Sequence, residues 1–195
     1  MPLGSLSEYE ALAGKAHGHL CAGQILGIRL ALDGLTLLGL EDPAGADRKR
    51  LVTFVEIDRC ATDAISIVTG CRLGKRALKF RDFGKLAATF CDLRDNRAVR
   101  VVARESARQR ARELYPEMES AGQQQMRAYR ELPAGELFDI EWVRVALGPA
   151  DLPGTRAPRV VCEVCGETVN FGREVAWAGR TLCRACAGER YYEPL

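Results

Sequence analysis

Four cysteines near one end of the chain restrict its folding more than any other feature. Cys162-x-x-Cys165 and Cys183-x-x-Cys186 are separated by seventeen residues. Each pair turns back on itself and offers two sulfurs to one ion, and this two-plus-two spacing is that of a structural four-cysteine zinc site. Gly166, directly after Cys165, permits the tight turn that a zinc knuckle needs. Strand material lies in residues 169–176 and at Thr181, and residues 185–191 can form a terminal helix. So short a segment cannot bury a useful core, and the metal is expected to hold it together. Basic residues Arg159, Arg173, Arg180, Arg184 and Arg190 are matched by Glu163, Glu167, Glu174, Glu189 and Glu193. That balance argues against a phosphate backbone as partner and favours protein contact.

The remaining chain is long enough for one ordinary domain. The whole has 195 residues, 47% apolar and 28% charged, with a net charge of +2. Such a composition gives a globular core and no global attraction to nucleic acid or an anionic membrane. No uninterrupted apolar stretch of membrane-spanning length is present, and residues 1–9 lack the basic flank and apolar run of a signal peptide. A reducing cytoplasm is therefore expected, where cysteines serve metals or redox chemistry rather than a disulfide framework. Residues 149–158 carry three prolines and one glycine and read as a linker between a core domain at 1–148 and a zinc module at 159–195.

Within the core domain, both histidines and a cysteine fall in His17-Gly18-His19-Leu20-Cys21-Ala22-Gly23. Imidazole and thiolate are the donors that zinc and similar metals prefer. In one continuous helix His17 and Cys21 share a face; in a loop entering a helix all three can converge. Ser5 followed by Glu8 predicts a capped helix before this stretch, and the apolar spacing after Gly23 predicts a second. Residues 42–50 form a polar loop, and residues 51–58 read as an inner strand. Cys60 then lies where a strand gives way to a helix, a position whose backbone N–H groups favour a thiolate. Residues 86–93 and 98–103 predict a hairpin, with Cys91 in the core. Seven arginines between Arg94 and Arg112 read as a solvated face, with an anion- or partner-binding surface as the alternative. Pro116 is expected to break the helical stretch 105–130, and residues 137–147 to close the domain with a last strand.

These motifs resemble the FmdE family, named after the E component of formylmethanofuran dehydrogenase. The matching residues are 17–23, Asp58-Arg59-Cys60-Ala61-Thr62-Asp63-Ala64-Ile65, Val68-Thr69-Gly70-Cys71-Arg72-Leu73-Gly74-Lys75-Arg76 and Asp82-Phe83-Gly84-Lys85-Leu86-Ala87-Ala88-Thr89-Phe90. The cysteine module resembles the treble-clef zinc finger of some members. One departure is Ala22, where many members have proline. The resemblance implies an α+β fold, a mixed sheet flanked by helices with a thioredoxin-like core, assembled as a homodimer. It also implies a metal-holding site at His17, His19, Cys21 and Cys60, and association with a molybdenum or tungsten oxidoreductase. The expected cofactors are zinc in the module and a second metal ion in the core domain. Two other readings stand beside this one. The first is a free-standing metal-dependent hydrolase or thiol redox enzyme, in which Cys21, Cys60, His19 and Asp63 are the catalytic candidates. The second is a zinc-finger adaptor. Spacing leaves open whether Cys71 joins Cys60.

Overall fold

The computed structural model describes residues 2–154 and 156–193. Met1, Thr155 of the expected linker and the last two residues of the zinc module lie outside the described residues. The chain divides into two compact units, 1–146 and 147–195. No helix among the described residues is long and apolar enough to cross a membrane.

The first unit opens with helix α1 (Leu6–His17), started by the expected capping box of Ser5 and Glu8 and ended by Gly18 in the left-handed region. Helix α2 (Ala22–Leu38) follows after a short loop. Strand β1 (Leu51–Val55) leads into helix α3 (Cys60–Thr69), and β2 (Leu78–Phe80) returns parallel to β1. The hairpin of β3 (Ala87–Asp92) and β4 (Arg97–Ala103) turns at Asn96, whose positive φ suits asparagine. Helices α4 (Ser106–Leu114) and α5 (Ala121–Glu131) flank Pro116, and α6 (Ala134–Leu137) delivers the chain to β5 (Phe138–Val143). The sheet order is β2-β1-β3-β4-β5, with every neighbouring pair antiparallel except β1 and β2. This is a mixed sheet flanked by helices in an α+β fold.

Helix α2 is the centre of the core. It packs on β3 and β4 and against α1, α3 and α5. Ile25, Ile28, Leu30, Leu35 and Leu38 are buried along it, beside Phe90 and Val99 of the sheet. Each fully buried side chain of this size contributes about 1.5–3 kcal/mol, so the first unit has an apolar core that needs no metal. Two glycines let α2 approach so closely. A Cβ on Gly34 would lie 2.3 Å from the Phe90 ring, and one on Gly27 would lie 2.6 Å from the Ala61 carbonyl of α3. The polar loop before β1 is tied by Asp47, which accepts from the Asp42 N–H and from Arg50. Arg50 reaches on to Asp92, a buried carboxylate at the end of β3, in a two-pronged ion pair.

The second unit is built differently. Hairpin β6 (Val160–Val161) and β7 (Thr168–Val169) is followed by hairpin β8 (Val175–Trp177) and β9 (Arg180–Leu182), then a short wide helical turn, Ala185–Glu189. That turn stops short of the expected 185–191, because Gly188 leaves helical geometry at φ 108°. Among its described residues only Cys162 and Leu182 are apolar and buried.

Candidate functional site

The four module cysteines come together. One sulfur from each of Cys162, Cys165, Cys183 and Cys186 lies within 4.8 Å of all the others, and Cys165 Sγ stands 3.9 Å from Cys183 Sγ. The knuckle closes through Gly166, whose N–H donates to the Cys162 carbonyl at a positive φ of 75°. Backbone N–H groups of Cys165 and Cys183 bring the Cys162 thiol pKa down to about 6. The Cys186 N–H donates to Cys183 Sγ over 3.4 Å. Four convergent sulfurs, one from each cysteine, supply the full donor set of a structural zinc site.

In the first unit, α1 stops at His17, so the His-Gly-His-Leu-Cys stretch is a loop entering a helix. Cys21 is the residue just before α2, and Cys60 is the first residue of α3. Buried Gln24 fixes the joint: its side chain accepts from the Cys21 N–H and donates to the Ala13 carbonyl. The close approach of α2 and α3 at Gly27 then sets the two cysteines side by side. A Cβ on Gly23 would lie 3.7 Å from Cys60 Cβ and 3.8 Å from Cys21 Sγ. Both cysteines are free and half-buried. Burial pushes the Cys60 thiol up, and the Cys21 sulfur beside it adds to the shift. The expected lowering at a helix start is outweighed here.

Cys21 and Cys60 line a cavity of about 470 Å³. Its rim includes Gly84 and Leu86, from a strap held by N–H donation from Phe83 and Lys85 to the Glu56 carbonyl. Glu56 is itself gripped by Arg100 through two short hydrogen bonds. Arg59, Arg104, Glu105, Arg108 and Tyr129 complete the polar lining.

The imidazoles stand apart from the sulfurs. His17 Nδ1 lies 3.3 Å from Asp63 of α3, in a separate smaller cavity, and the His19 ring leans on that of His17 at 5.1 Å. Asp63, a candidate for acting on a bound water, therefore faces His17. Among the described residues the module cysteines are the one group of three or more donors gathered within 4.8 Å, so His17, His19, Cys21 and Cys60 do not converge on one point. Their chemistry suits a borderline metal, and the two sulfurs are already neighbours. Cys71 does not join them. It is buried beneath the sheet, where Thr53 donates to its sulfur, and burial raises its thiol pKa. Cys91 is core, its thiol pushed up to about 12 by burial.

The arginine run divides in two. Among the described residues, six of the seven, all but Arg112, stand in ion pairs, and of these Arg104 and Arg108 also line the cavity. The sequence signal for that cavity was present in the alternative reading of the run, and nothing local distinguished those two residues from their neighbours.

A family model described as FmdE, molybdenum formylmethanofuran dehydrogenase operon, matches residues 16–139, and one described as prokaryotic dksA/traR C4-type zinc finger matches residues 157–192. A protein of Archaeoglobus fulgidus named probable S-adenosyl-L-methionine-binding protein is 30% identical over 220 aligned residues, a match covering 97% of this chain and 55% of that protein. The chain thus spans about half the length of that curated relative. The crystal structure of a tungsten formylmethanofuran dehydrogenase FmdE-like protein from Syntrophus aciditrophicus shares the fold, with a TM-score of 0.65 at 21% identity over 97% of this chain and 96% of that one. With the FmdE match covering well over half of its residues, the chain belongs to the FmdE family and carries a C-terminal C4 zinc finger.

Proposed function

We propose that the chain is a metal-handling accessory protein of the FmdE type, acting with a molybdenum- or tungsten-dependent oxidoreductase through a sulfur-centred site in its first unit. The observation that carries this reading is the meeting of Cys21 and Cys60 from two helix starts at the wall of a 470 Å³ cavity. Cys21 and Cys60 would hold the ion, and His19, exposed and two residues ahead of Cys21, is the nearest imidazole in sequence that would have to turn toward them to become a third donor. A metal bound there supplies a thiophilic Lewis-acid centre. His17 is oriented by Asp63, as a carboxylate orients a ligating imidazole through its second nitrogen. The family's thioredoxin-like outline belongs to the same reading and is supported by the parallel β1–α3–β2 unit followed by an antiparallel pair. So does a homodimer, supported by the exposed Ile140 and Trp142 on edge strand β5.

The test is metal content per chain, by elemental analysis of protein purified without oxygen, for the parent and for Cys60→Ser. Two equivalents falling to one is the expected result. One equivalent in both would remove the metal reading. A thiol redox enzyme is then the second reading, favoured by the same adjacency of two free cysteines, and reversible protection of both thiols by a disulfide oxidant would identify it.

A further inference from the structure

The cavity beside the sulfur pair has a charge character that metal handling does not require. Its lining contains three guanidinium groups, Arg59, Arg104 and Arg108, and one carboxylate, Glu105. Arg104 is held by Asp139 at 2.6 Å, and Arg108 lies 3.2 Å from Glu105. Arg59 has no ion-pair partner among the described residues and is exposed at the start of α3. Tyr129 presents a buried phenol near Arg108, and burial raises its pKa further. The starts of α2 and α3 add their positive ends on the same side. Between these groups the walls are apolar, with Leu26, Ile57 and Leu86. The volume is that of a small-molecule site.

We propose that this cavity binds an organic anion, its charged head on Arg59 and Arg108 and its apolar body against Leu26, Ile57 and Leu86, so that the ligand lies beside the Cys21 and Cys60 sulfurs. The proposal rests on Cys21 and Cys60 being the chemistry of this cavity, and it names the class of molecule they meet. A carboxylate and a phosphate monoester both present the anionic oxygens that guanidinium groups pair with.

Alkylation of the full chain tests it. Iodoacetate carries a carboxylate and iodoacetamide does not, and both react by thiolate displacement of iodide. The ratio of their rates at Cys21 and at Cys60 is read by peptide mass spectrometry, against the same cysteines in the urea-unfolded chain. Local concentration of anions in a basic cleft predicts a ratio raised by about threefold or more, falling toward the unfolded value at 1 M salt (~3 Å screening length). Arg59→Gln and Arg108→Gln should each lower it, and both side chains are exposed, so folding is not at stake. Competition by propionate assigns a carboxylate ligand, and competition by inorganic phosphate assigns a phosphoryl one. A ratio equal to that of the unfolded chain overturns the proposal, as does a raised ratio that neither competitor reduces, which would be long-range attraction without binding. An ion bound at the same sulfur slows both reagents alike and cancels in their ratio, whereas the metal count of Cys60→Ser reads the ion alone, so loss of one inference leaves the other measurable.

Discussion

The two units use cysteine in opposite ways. In residues 147–195 four sulfurs close on one another, and little else is buried. In residues 1–146 a large apolar core forms without a metal, two cysteines, Cys71 and Cys91, are buried as ordinary small apolar side chains, and two others are left at the wall of a cavity. A closed set of four thiolates builds structure, whereas an incomplete set on a self-sufficient scaffold is free for chemistry. The same residue type thus has two roles, decided by whether the surrounding chain can fold without it.

Stripping metal attacks this contrast most directly. Structural zinc contributes roughly 10–16 kcal/mol in small modules, far more than residues 147–195 can recover from two buried apolar side chains. A strong chelator, or Cys183→Ser, should unfold the second unit and leave the thermal transition of the first in place. Limited proteolysis with mass mapping would show cuts confined to 147–195. Equal protection of both units after chelation would end the comparison.

Packing supplies a sharper probe of the first unit. Gly34→Ala places a methyl group 2.3 Å from the Phe90 ring, and overpacking of this kind costs about 1–3 kcal/mol. The urea midpoint of the first unit should fall, with the metal content of the second unchanged. An unaltered midpoint would mean that α2 is not pressed against β3.

Acid is expected to have the smallest effect. The Asp42 N–H, with Arg50 nearby, holds the Asp47 carboxyl below its ordinary 3.8. A carboxyl lowered in the folded state stabilises above its ordinary value, and that contribution is lost as pH falls through the folded value. The stability of the first unit should therefore decline below pH 3.8, and Asp47→Asn should flatten that limb. Parallel acid limbs in the two chains would remove Asp47 from the account.

What the sequence revealed follows from the range over which each feature acts. The Ser5–Glu8 cap, the break at Pro116, the strand-to-helix junction at Cys60 and the Cys-x-x-Cys pairs are local, and local chemistry is readable from spacing. The pairing of His17 with Asp63, the choice of Arg104 and Arg108 from seven arginines and the turning of Cys71 into the sheet are set by tertiary packing. No spacing rule encodes them. The upward shift of Cys60 is likewise a product of burial and of Cys21, which is distant in sequence, and it overrode the effect of its own helix start.

Gly27 carries a consequence beyond packing. It lies six residues into α2, on the order of 9 Å along the axis from Cys21, where the helix touches Ala61, the neighbour of Cys60. The spacing between the two sulfurs is therefore fixed by backbone contact and not by the cysteines themselves. Any side chain at this position would wedge the helices apart and widen the sulfur gap. The size of ion or bridging group that the pair accepts is tuned by a residue with no side chain, one that no inventory of donor atoms would include.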